Sequence, residues 1–390
     1  MIKNYIVDDK NGGHNHQNKK IAVVAHVNYP GLIDYCFDYI KNIPSYIDIY
    51  ITTKGTKNIE VISEKISLMN RSNISIVVPE DRGREISGLL VACKEKLKNY
   101  EYICFVHDKR KNSGEKYLTV GQAFCDILWE NMLNSDIYIE NVIELLEHNE
   151  NLGLLSPPIP YVSEFFSVGS FGWGGNYQKT CALAEKLNLN VKLDANVHPY
   201  VLGMTFWCKR KALEPLFEYD WKYTDFVKEP MPVDNTISHG IERILQYVAE
   251  SQGYKSGWVM TPDCASTYYT NYRYMLEKIY SKINFEEEME ESTYTEFRLK
   301  KFIDEYDKFY IYGAGQKGYE CLDILGDEKF LGFVVSDSKN QNKANYKIYS
   351  VDEIKPENNI GIIVAMGTNY MIEVMRELYR RGFTEIERYT

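Results

Sequence analysis

At 390 residues with a formal net charge of −10, the chain has room for one domain of about 250 residues and one of about 100. Hydrophobic residues make up 44% and charged residues 26%; that is a globular balance, and the acidic surplus argues against a nucleic-acid-binding surface. No apolar run approaches the ~18 residues of a membrane span, and the N-terminus is polar rather than leader-like. Eight cysteines are scattered without paired metal spacing, which reads as buried thiols in a reducing cytoplasm.

Residues 1–19 lack periodicity and read as a flexible N-terminal arm; His14 and His16 within it are either metal ligands or part of a solvated tail. Lys20 to His26 is a first buried strand, Pro30 to Ile43 has helical apolar spacing, Ile47 to Thr52 is a second strand and Asn58 to Leu68 a second helix. Ile74 to Val78 is a third strand. It meets an Arg82-Gly83-Arg84 turn, a helix over Ile86 to Leu97, and a fourth strand, Tyr102 to Val106, that stops in His107-Asp108-Lys109. Strands alternating with helices predict βαβ units and a mainly parallel sheet. In such sheets ligands bind at the carboxyl ends of the strands, so the Arg-Gly-Arg turn and the polar strand end suit a diphosphate-bearing ligand.

Residues 121–150 read as helices and Leu152 to Leu155 as a short strand. The stretch 165–177 is too rich in Gly and aromatics for a regular element, and a loop of that length points to function. Val201 to Cys208 reads as a strand with Trp207 in the core, Lys211 to Phe217 as a short helix, Asn235 to Ser251 as an amphipathic helix and Gly257 to Met260 as a late strand. Residues 285–300 form a charged helical linker, with the boundary near residue 295. Beyond it, 301–390 reads as a Rossmann-like domain. A strand (Lys308 to Tyr312) runs into Gly313-Ala314-Gly315-Gln316-Lys317-Gly318, a helix follows, and a second strand ends at Asp337. This satisfies the context of a nucleotide-type fingerprint, with Gly313, Gly315, Gly318 and Asp337 as its residues.

With these elements aligned, the chain resembles the rhamnan synthesis protein F family of bacterial polysaccharide glycosyltransferases, through IAVVAHVNYP (21–30), YIDIYITT (46–53), EDRGREI (80–86), CFVHDK (104–109), NLGLLSPP (151–158) and HGIERILQYVAESQGYKSGW (239–258). The resemblance implies a GT-A-like, mostly parallel α/β domain over 20–284. It also implies inverting transfer of a sugar, often L-rhamnose, from a dTDP- or UDP-linked donor to a glycan or lipid-linked glycan acceptor. A cytoplasmic protein, peripheral to the inner membrane face, follows from that role. GT-A enzymes commonly end the fourth strand in Asp-x-Asp around Mg²⁺ or Mn²⁺; here it ends His-Asp-Lys. Either Asp108 is a metal ligand, with His107 as a second, or Lys109, Arg82 and Arg84 replace the metal as cations.

Glycosyl transfer needs a stabilised diphosphate, a held sugar and a base. Arg82 and Arg84, with Gly83 allowing the turn between them, suit the first, and Arg243 is a further phosphate candidate. For the base, Glu242, Asp234 and His239 are the candidates, in or just before one helix; Asp234 is alternatively that helix's cap. Trp173 and Tyr177 either stack on the acceptor or pack on the core. Two other readings stand. One is an NAD- or sugar-nucleotide-processing oxidoreductase centred on the C-terminal domain; the other is a non-catalytic scaffold in polysaccharide assembly.

Overall fold

The computed structural model describes residues 3–10, 16–109, 120–159, 172–201, 203–232, 234–280, 291–336, 346–357 and 359–389. The chain divides into two compact units, Met1–Glu277 and Lys278–Thr390.

The first unit is built on an eight-stranded sheet. Its strands are β1 (Lys3–Ile6), β2 (Ile21–His26), β3 (Asp48–Thr52), β4 (Ile74–Val77), β5 (Tyr102–His107), β6 (Leu152–Ser156), β7 (Phe206–Lys209) and β8 (Lys255–Met260), in the spatial order β1-β8-β6-β7-β5-β2-β3-β4. Ile21, Ile49, Ile76 and Cys104 lie on neighbouring parallel strands, as the sequence pattern predicts. Only β7 runs against its neighbours, wedged between β5 and β6.

Every residue of β2 and β5 is buried, because both faces of the sheet are covered; this is why these strands read as continuous apolar runs rather than alternating ones. Side chains nevertheless sort by parity. Val23, Ile49 and Cys104 join a core that also contains Trp129 and Trp207, whereas Val24, Ile103 and Phe105 join the opposite layer with Phe206, Trp221 and Ile244. Trp207 is fully buried, and its indole N–H donates to the Met132 carbonyl (3.0 Å).

Three elements depart from the sequence reading. The expected flexible arm instead supplies β1, which pairs in parallel with β8 at the sheet edge. Gly257 makes room for it, since a Cβ there would stand 2.6 Å from the Tyr5 ring. The helix expected over Ile86 to Leu97 is broken into Arg84–Ser87, a π-turn at Gly88–Ala92 and Lys94–Leu97, with Cys93 N–H donating to the Gly88 carbonyl five residues back (3.1 Å). The strand expected from Val201 begins only at Phe206, because Gly203 and Met204 both take positive φ (81° and 45°).

The second unit has a five-stranded, wholly parallel sheet: β9 (Lys308–Tyr312), β10 (Phe330–Val335), β11 (Ile348–Ser350), β12 (Ile360–Ala365) and β13 (Ile386–Tyr389), in the order β11-β10-β9-β12-β13. Gly313 has φ 114° and a Cβ there would lie 2.4 Å from the Ala365 carbonyl oxygen; at Gly318 it would meet the Gly313 carbonyl at 2.0 Å. The tight turn therefore requires both glycines. Gly315 precedes the helix Gln316–Leu325, and Asp337 lies outside the described residues. Of the stretch expected to be a linker, 285–300, the described part lies in the helix Glu291–Asp304, whose Leu299 and Ile303 are buried in this unit's core beside Phe309 and Phe333; residues 285–290 lie outside the described residues.

Candidate active site

β5 carries its apolar side chains to the carboxyl edge of the sheet and ends there in His107, followed by Asp108 and Lys109; the first two are buried and Lys109 is half-buried. Asp108 is 4% exposed. One carboxylate oxygen, Oδ2, accepts from the backbone N–H groups of Asn28 (2.7 Å) and Tyr29 (2.6 Å) in the loop after β2. The other, Oδ1, is buried and meets no donor among the described residues. Burial pushes the carboxyl up to about 6, with Glu85 adding to the rise, although the two backbone donors oppose it. A buried oxygen without a partner is costly, and it leaves one acceptor ready for a cation or a donor.

His107 is committed elsewhere. Its Nε2 faces the Gly203 carbonyl (2.7 Å) and its Nδ1 the Asp108 carbonyl (3.0 Å), so neither nitrogen is turned to a metal. Glu242, from the helix Ile237–Ser251, grips the same turn: Oε1 accepts from Gly203 N–H (2.7 Å). The left-handed pair Gly203-Met204 is thus held from both sides. Burial raises Glu242, but Lys109, Arg243 and the Gly203 N–H outweigh it and hold the carboxyl below its usual range. Lys109 is lowered by burial even though Glu242 and Glu85 pull the other way. Asp108, Lys109, Glu242, Arg243 and Glu85 therefore form one electrostatic neighbourhood at the strand edge. Glu85 was not among the residues singled out from sequence; its place beside Arg84 in the turn was the available signal.

The two guanidinium groups part company. Arg82 Nη1 donates to the Phe226 carbonyl (2.9 Å), so its side chain props the 226–229 loop, which is also joined to it by a backbone bridge between Arg82 and Lys228. Arg84 is exposed. Its backbone N–H is anchored on Glu229 Oε1 (3.0 Å), which also pairs with Lys54, and its charge reaches His239. Gly83 (φ 72°) and Arg84 (φ 49°) are both left-handed. A Cβ on Gly83 would sit 2.7 Å from the Phe226 ring, which explains the glycine. Strained backbone of this kind persists where surrounding contacts over-determine it, often at ligand sites.

The remaining candidates are structural in part. Thr236 rather than Asp234 caps the helix, and His239 completes the capping box: its Nδ1 lies 2.8 Å from Thr236 Oγ1 and 3.3 Å from Thr236 N–H. Burial lowers His239, against the pull of Glu242 and Asp234. Asp234 pins the 174–176 turn by accepting from Gly175 N–H (3.0 Å) and the Asn176 amide. These donors and Arg243 outweigh its burial and hold it below the ordinary carboxylate range. Arg243 donates to the carbonyls of Gly172 and His239 (both 3.0 Å). Trp173 is 3% exposed, donates to the Val197 carbonyl (2.9 Å) and packs on Tyr177 and Tyr247, so its ring has no face open to a sugar. Tyr177 donates to the Leu193 carbonyl (3.1 Å).

The family model described as rhamnan synthesis protein F matches residues 1–254. The protein WxcX of Xanthomonas campestris pv. campestris, in strain B100 and in strain ATCC 33913, is 26% identical over 240 residues, covering 60% of this chain and 32% of WxcX; the chain thus spans about a third of those relatives. A solved structure, the mannosyltransferase PcManGT from Pyrobaculum calidifontis in complex with GDP-Man and Mn²⁺, is 13% identical, with a TM-score of 0.35 over 65% of this chain and 56% of the mannosyltransferase.

Proposed function

The chain belongs to the rhamnan synthesis protein F family, and from that premise we propose that its first unit is a GT-A-like glycosyltransferase. It moves a sugar, L-rhamnose by preference, from a dTDP- or UDP-linked donor to a glycan or lipid-linked glycan acceptor with inversion. The observation that carries the proposal is the orphaned Asp108 Oδ1 at the sheet's carboxyl edge, with Lys109 and Glu242 beside it.

An oxygen without a donor, in a carboxyl buried at a strand end, fits Mg²⁺ or Mn²⁺, hard ions that take one or two carboxylates together with substrate phosphates. Asp108 would hold it; His107 would not, since its nitrogens already face carbonyls. Bound there, the ion would neutralise charge on the departing diphosphate. Arg84 and Lys109 add fixed positive charge on the same side, and charged donors already in place need no reorganisation as charge develops.

For the proton, we favour Glu242 over Asp234. Asp234 is absorbed by the 174–176 turn. Glu242 keeps Oε2, which lies 3.6 Å from Arg243 Nη1. A carboxyl held below its usual range is ionised at neutral pH, the form a base requires. His239, with one nitrogen in the capping box, ranks third. The second unit, with its glycine turn, serves binding or scaffolding rather than hydride transfer. The test is nucleoside diphosphate release with donor and acceptor glycan. Glu242→Gln should cut turnover by about 10²–10⁴-fold with donor affinity retained; loss of donor affinity instead would reassign Glu242 to sugar or phosphate binding.

A further inference from the structure

The first unit carries a second cluster of ligating side chains, at the opposite edge of the sheet. His16 and Lys19 stand just before β2, and the helix Asp136–His148 ends just before β6, so the cluster lies where strands begin, away from the His107-Asp108-Lys109 end. Glu144, Glu147 and His148 occupy positions i, i+3 and i+4 of that helix, which share one face. The N-terminal segment crosses the same helix: Asn141 Nδ2 donates to the Asp8 carbonyl (2.9 Å).

His16 is 4% exposed. Its Nδ1 lies 3.1 Å from Glu147 Oε2 and its Nε2 3.5 Å from Glu144 Oε2. His148 Nδ1 is 3.0 Å from Glu144 Oε1, and Lys19 Nζ is 2.8 Å from Glu147 Oε1. One ligand atom each from His16, Glu144 and Glu147 lie within 4.8 Å of one another. A neutral imidazole has a single N–H, so the buried His16 ring cannot donate to both carboxylates. A metal ion standing between one nitrogen and its carboxylate would suit both.

We propose that His16, Glu144, Glu147 and His148 bind a divalent transition-metal ion, zinc by preference, that fastens the N-terminal segment and its edge strand β1 to the body of the first unit. Two imidazoles and two carboxylates match the four N/O ligands of a closed zinc site. Imidazole nitrogen disfavours Ca²⁺ and Mg²⁺, which want oxygen, and suits zinc, nickel or copper. The role is structural, because the site sits at the strand edge opposite the proposed chemistry and ties down the segment that carries the four-residue ladder of β1 to β8.

The test uses the full chain carrying Asp108→Asn, so that an ion at the other edge does not contribute. After chelator treatment, zinc alone is titrated by calorimetry, and Co²⁺ is added separately to read its visible absorption. The expected result is one equivalent of zinc bound, a four-coordinate Co²⁺ band, and a thermal midpoint raised by zinc. His16→Ala or Glu144→Gln should weaken binding by about 10–100-fold or more. Because a buried His16 substitution also risks the fold, His148→Ala at the exposed ring (68% side-chain exposure) is the second variant and should weaken binding without zinc-free destabilisation. Zinc uptake no tighter in the parent than in these variants, or a Co²⁺ spectrum insensitive to them, would leave His16 held by its carboxylates alone and overturn the proposal.

Discussion

Replacing Asp108 by Asn should make the protein more stable above neutral pH and less stable in relative terms as pH falls. The carboxyl's folded-state value is raised, from the ordinary 3.8 to about 6, so between those values the folded state holds a proton that the unfolded state has released. Stability therefore falls as pH rises through that window and stays lowered above it. At ~1.4 kcal/mol per tenfold change in proton affinity, the rise corresponds to about 3 kcal/mol. Asn keeps a carbonyl to accept from Asn28 and Tyr29 N–H, but as a neutral and weaker acceptor. The net gain at pH 8 should be about 1–3 kcal/mol, shrinking to nothing or reversing near pH 4. Urea titration followed by tryptophan fluorescence is the assay, because all five tryptophans (129, 173, 207, 221 and 258) lie in the first unit. A variant destabilised equally at pH 8 and pH 4.5 would refute the reasoning, since it would mean that Asp108 is a satisfied structural group. A stabilised variant that no longer binds donor would fit a residue retained for function at a cost in stability.

Three further outcomes follow from the same geometry. Gly83→Ala should destabilise the first unit by about 2–4 kcal/mol, from left-handed strain and overpacking against a Phe226 ring that is 1% exposed; a loss under about 0.5 kcal/mol in urea would argue against the observed turn. Arg84→Ala should weaken donor binding by about 1–3 kcal/mol while leaving the urea midpoint within error, because its side chain is exposed; Arg82→Ala should do the reverse, through the loosened 226–229 loop. Leu299→Ala should destabilise the second unit by about 2–5 kcal/mol, read as faster proteolysis within 291–389, without moving the tryptophan-monitored transition. An unchanged cleavage rate would place the helix Glu291–Asp304 outside that unit's core.

What was legible in the sequence follows from local physics. β2, β5 and β12 announce themselves as apolar runs, because a strand covered on both faces has no polar side to show. The Arg82–Arg84 turn and the Gly313–Gly318 turn were legible because left-handed backbone and close approach select glycine. The rest depended on distant partners. Lys3–Ile6 is largely exposed and polar, and only its ladder to β8 makes it a strand. β7 gives no local sign that it will run antiparallel between β6 and β5. In the site, the commitments of His107 to Gly203, of Arg82 to Phe226 and of Trp173 to Val197 cross tens of residues of chain, so residue type alone could not separate props from ligand-facing groups. His239 is a nearer miss. Thr236 three residues earlier is a capping pattern, obscured because His stands where Glu or Gln is usual.

The most direct test of the account is donor binding at the sheet edge. Calorimetry of the full chain with dTDP-rhamnose, UDP-sugars and GDP-sugars, each with Mn²⁺ and with chelator, compares the parent with Asp108→Asn and Arg84→Ala. The account predicts saturable binding of a nucleotide diphospho-sugar, lost in Asp108→Asn and weakened in Arg84→Ala. A donor bound equally by all three proteins, or no donor bound by the parent, would contradict it.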